Sequence, residues 1–93
     1  MSLEDRTIRA ADARQLLENP MFVEAWAAVE KHLHMQAIAC DSDNAQKALR
    51  IVISQQLLAG VKREIQRIVT DGMVAQVQIA ELEQKRRFAV FKR

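Results

Sequence analysis

IVISQQLLAGVKREIQRIVTDGMVAQVQIAEL, residues 51–82, is the stretch that decides how this chain folds. Within it Ile51, Ser54, Leu58, Val61, Ile65, Ile68, Gly72, Ala75, Ile79 and Leu82 recur at alternating steps of three and four. That spacing sets one side chain per turn along a single helical seam and is the heptad signature of helices that pack lengthwise. Asp71–Gly72 also reads as a helix stop, since glycine in a helix costs about 1 kcal/mol relative to alanine. The register nevertheless continues on both sides of it. The spacing therefore predicts one helix from about Asn44 to Phe88, roughly 65 to 70 Å long, with Gly72 and Ala75 permitting close approach of another helix.

Upstream of this helix, Cys40, Asp41, Ser42, Asp43 and Asn44 form the one strongly turn-like run, because short polar side chains bond to the backbone and compete with helix. Asp41, Ser42 or Asp43 is the expected cap of the long helix. Before the turn, Phe22, Trp26, Val29, Leu33 and Ala37 recur at steps of three and four and predict a helix over 20–39. Its start is marked by Asn19, a favoured cap, and Pro20, which suits the first helical position because its missing N–H has no intrahelical partner to lose. From Leu3 to Glu18, Ile8, Ala11, Leu16 and Leu17 lie among charges and predict a short, weakly amphipathic helix.

The 93 residues include two glycines, one proline, three phenylalanines, one tryptophan and no tyrosine, a composition suited to helices and poor in strand formers. The expected fold is all-α and occupies residues 1–93 as one domain. It is an antiparallel helical hairpin with a short N-terminal helix and a long C-terminal, heptad-bearing helix, the three spanning about 4–18, 20–39 and 44–88. A chain this short buries a modest share of its surface, and the second helix covers part of the long seam only. An oligomer is therefore expected, self-associating through Leu58, Val61, Ile65, Ile68, Ala75, Ile79 and Leu82.

The net charge of +2 hides an asymmetry. Residues 1–43 carry four basic groups against eight acidic ones, and residues 44–93 carry ten against four. The complementary halves favour a hairpin, although exposed pairs contribute only about 0 to 1 kcal/mol each. At the C-terminal end, residues 85–93 combine five positive charges with Phe88, Val90 and Phe91. Arg86, Arg87, Phe88 and Phe91 are the expected docking residues for a partner.

Catalytic patterns are missing from the sequence. His32 and His34 stand two apart on a helix, which points their rings about 200° apart and away from a shared metal. Cys40 is the sole cysteine, so no intramolecular disulfide forms, and no oxyanion-hole pattern accompanies it. Gly60 and Gly72 are isolated in helical pattern and make no phosphate loop. The reading is a non-enzyme without cofactor or metal. No run approaches the roughly 20 apolar residues of a membrane span, and MSLEDRTIRA lacks the apolar core of a signal peptide.

Two stretches, ADARQLLENPMFVEAW (11–26) and REIQRIVTDGMVAQVQIAELE (63–83), resemble small helical proteins encoded among virion structural and assembly genes of tailed bacteriophages and prophages. In those chains leucine, asparagine, proline and phenylalanine open a helical hairpin, and glycine with alanine recurs late in its second arm. The resemblance implies a scaffolding-like or head-associated assembly role, with a virion protein as partner and the host cytoplasm or the virion as location. It transfers no functional residues. The alternative is a small nucleic-acid-binding accessory protein for DNA packaging or regulation, with Lys47, Arg50, Lys62, Arg63 and Arg67 making a basic helix side and the C-terminal cluster adding phosphate contacts.

Overall fold

In a computed structural model, which describes residues 1–91 and the last of them by its backbone alone, the long helix runs unbroken through Gly72. The order is α1 (Leu3–Glu18), α2 (Pro20–Ala39) and α3 (Ala45–Phe91), with no strand among the described residues. The expectation of an all-α chain of three helices is met. The third helix starts one residue later and ends three residues beyond the expected 44–88.

The helix ends follow capping chemistry. Asn19, in extended backbone, accepts through Oδ1 from the Met21 and Phe22 N–H groups at 2.9 and 3.2 Å, with Pro20 next in line. Two donors that a helix start leaves without intrahelical partners are thereby satisfied. At α3 the cap is Asn44, whose Oδ1 accepts from the Lys47 N–H at 3.2 Å. This corrects the expectation that Asp41, Ser42 or Asp43 would serve. Those three residues are consumed by the turn itself, in which the Asn44 N–H donates to the Asp41 carbonyl at 3.0 Å. Ser2 plays the same part at α1, accepting from the Asp5 N–H at 3.0 Å.

The chain divides into two compact units, each using one part of α3. The first joins residues 1–15 to the chain from Ile65 onward. Here Ala10, Ala13 and Ala75 are buried, and so is Gly72. A Cβ placed on Gly72 would collide with the Cβ of Ala10 and stand 3.3 Å from the Arg6 carbonyl oxygen. Small residues therefore set the spacing between α1 and α3. Of the expected stripe on α1, Ile8, Ala11 and Leu16 are exposed and Leu17 alone is half-buried, while the inward row is Leu3, Arg6, Ala10 and Ala13. Side-chain bulk gives way to closeness: where backbones nearly touch, only alanine and glycine fit.

The second unit spans Leu16–Glu64. Phe22 and Trp26 pack on each other with ring centroids 5.4 Å apart, and Lys62 of α3 shares their cleft, so the chain doubles back across the turn at 40–44. On α3 the inward row is Ile51, Gln55, Leu58 and Lys62. Ser54 and Val61, expected on the seam, are exposed. The Ser54 hydroxyl bonds back to the Arg50 carbonyl at 2.8 Å, and the long stems of Gln55 and Lys62 reach places that shorter side chains would not.

Candidate interaction surfaces

Arg6 and Asp71 are the most specific polar contact between α1 and α3. Arg6 donates from Nε to Asp71 Oδ2 at 3.0 Å and from Nη2 to Oδ1 at 2.7 Å, a two-pronged pairing of planar groups. The Arg6 side chain is 23% exposed and that of Asp71 38%. The hydrogen bond from Arg6 lowers the Asp71 pKa below the ordinary carboxylate value; partial burial opposes this, and the charges of Arg6, Arg67 and Arg9 add to it. Asp71 thus sits one helical position before the glycine crossing and ties α1 at the same level. Its chemistry is that of a clamp.

The expected self-association residues divide three ways. Ala75 is 0% exposed and has no surface to offer. Leu58, Ile65, Ile68 and Ile79 are half-buried, while Val61 and Leu82 are exposed. Much of the seam is therefore turned inward within the two units. Among the expected docking residues, Arg86, Arg87 and Phe88 are exposed, with Lys85 beside them. The Phe91 side chain, like Lys92 and Arg93, lies outside the described residues.

Two surfaces were not anticipated from the seam. One is a cleft of about 150 Å³ in the second unit, lined by Leu17, Phe22, Val23, Trp26 and Lys62 among others, with Glu30 at its side. The other is a row of large aliphatic side chains, Leu49, Ile53, Leu57 and Val61, all exposed on the first part of α3. A repeat of four steps was present in the sequence, and it marks a second apolar ridge beside the heptad seam. A shallow hollow of about 460 Å³ also lies along Glu81, Gln84, Lys85, Phe88 and Ala89, which share one side of the last turns of α3.

Among the described residues no group of three or more histidine, cysteine, aspartate or glutamate side chains stands where it could hold a metal ion. Cys40 is half-buried in the turn, its Sγ 3.6 Å from the Asp41 carbonyl oxygen and 3.8 Å from that of Asn44. No described helix is long and apolar enough to cross a membrane. No protein family, curated protein or solved structure matches this chain.

Proposed function

We propose that this chain is a non-catalytic interaction protein that works by helix-mediated association, with itself and with a component of a larger assembly. The observation that carries the reading is its uncovered apolar surface. Among the described residues Leu49, Ile53, Leu57, Val77, Leu82 and Val90 are large apolar side chains left exposed. Among the described residues no large side chain is fully buried, and the buried apolar ones are three alanines and Ile51. Such a core is small for a stable isolated domain, and association is the usual remedy. On this reading the hairpin and heptad patterns serve packing both within and between chains. The setting is virion assembly in a tailed phage or prophage, which rests on the resemblance of residues 11–26 and 63–83 alone.

Mass measured by light scattering across concentration tests the association. At micromolar concentration and above, the protein is expected to exceed its monomer mass, and more so as concentration rises. A constant 10.6 kDa across the range would remove the reading.

A second reading, binding to nucleic acid, is favoured by the exposure of Lys85, Arg86 and Arg87 on consecutive positions near the end of α3. It predicts weak, sequence-independent binding to DNA that falls steeply with salt, and a shallower salt dependence when Arg86 and Arg87 are replaced by alanine. Absence of any DNA retardation at low salt would eliminate it.

A further inference from the structure

We propose that the basic last turns of α3, carrying Lys85, Arg86 and Arg87, enter the major groove of double-stranded DNA and are held there chiefly by phosphates on both walls. The proposal rests on the nucleic-acid reading above and names the form of the ligand and the way it is gripped.

These turns have no side turned toward the rest of the chain. Inward positions on α3 recur as far as Ile79, which is half-buried, and every residue from Ala80 to Val90 is exposed. That is about 16 Å of bare helix. A helix that packs on its own protein has one covered stripe. Here the whole circumference is offered to a partner.

The charge is spread around that circumference. Glu81 and Glu83 stand four residues before Lys85 and Arg87, a spacing that supports the helix itself. Beyond Glu83 the chain has no acidic residue. Lys85, Arg86 and Arg87 follow one another at steps of about 100°, so they leave the helix on three different sides. Phe88 and Val90, 63% and 69% exposed, fall in the gaps between them.

This layout selects among anionic partners. A flat acidic surface of a folded protein meets one side of a helix and leaves at least one of the three cations facing water. A single strand is held in a basic groove set with several aromatic faces, whereas the hollow beside Phe88 offers one ring with Glu81 at its edge. The major groove of B-form DNA is about 12 Å wide and admits one α-helix, itself about 10 to 12 Å across. Cations on three sides of such a helix all find phosphates. The bare length corresponds to about five base pairs at about 3.4 Å each. Phe88 and Val90 then face base edges, where thymine methyl groups supply apolar contact.

The test is binding of the full chain at low salt to a mixed-sequence DNA duplex, to duplex RNA and to single-stranded DNA of the same sequence. Methyl green, which occupies the major groove, is expected to displace the protein from the DNA duplex, and netropsin, which occupies the minor groove, is not. Duplex RNA has a major groove too deep and narrow for a helix and is expected to bind at least about tenfold more weakly. Lys85→Ala, Arg86→Ala and Arg87→Ala should each lower the slope of log affinity against log salt by about 0.9. Helicity should not change, since all three side chains are exposed. One variant of the three that leaves the slope unaltered would mean one-sided docking and overturn the groove geometry. Displacement by netropsin alone, equal binding of duplex RNA, or tighter binding of the single strand would overturn it as well, and the nucleic-acid reading survives each of these. Failure to bind any of the three nucleic acids at low salt removes both.

Discussion

At the scale of single residues, the two glycines carry opposite meanings that composition alone does not separate. In an exposed helix, glycine to alanine should stabilise by about 1 kcal/mol. At Gly72 the same change drives a methyl group into Ala10 with the Arg6 carbonyl 3.3 Å away, and backbone cannot move aside as a flexible side chain does. Gly72→Ala is therefore expected to destabilise by about 1 to 3 kcal/mol, the cost of overpacking, despite its better helix propensity. Chemical denaturation of the two proteins measures this directly, and an increase in stability would show that α1 does not pack against Gly72. The heptad register announced that Gly72 belongs to a seam, and the neighbour that demands glycine there was not readable. Ala10 is one alanine among many until it is placed across from it.

At the scale of elements, what fastens α1 to α3 is a handful of small side chains and the Arg6–Asp71 clamp. Because Asp71 has its pKa lowered in the folded state, chiefly by the hydrogen bond from Arg6, the folded protein binds its proton less readily than the unfolded chain. Its stabilising contribution is thus full above the ordinary carboxylate pKa and is lost as pH falls through the lowered folded-state value. Asp71→Asn should be less stable than the parent at neutral pH, and the gap between the two should close on acidification toward about pH 2. Denaturation midpoints measured across that range check the sign; a gap that widened in acid would contradict it. The α2 and α3 starts, by contrast, depend on local caps, and Asn19 with Pro20 was readable as a cap from the residues alone. The α3 cap was misplaced because four neighbouring polar residues are chemically alike, and only the turn's hydrogen bonds select Asn44.

For the whole molecule, the exposed aliphatic side chains dominate. Single exposed leucines are ordinary, but Leu49, Ile53, Leu57 and Val61 form a continuous row. If the chain self-associates as proposed, unfolding temperature is expected to rise with protein concentration, because association stabilises the folded state by mass action. A Tm independent of concentration would separate folding from association and return the apolar row to mere surface. The basic end at Lys85–Arg87 adds a second exposed feature, and its salt-dependent behaviour toward DNA is read independently of mass.

What the residues by themselves determined is the local structure: three helices, their approximate starts, the Asn19 cap of α2 and the polar turn at 40–44. Those are matters of spacing, propensity and capping, each settled within a few neighbouring positions. What only the tertiary structure decided is which side of each helix faces in. Ile8 and Leu16 lost to Ala10 and Ala13, and Ser54 and Val61 to Gln55 and Lys62. The physical reason is that burial is a contest among residues far apart in the chain, won by fit. A glycine allows one helix close enough that only alanine can follow, and that closeness leaves the larger aliphatic side chains outside.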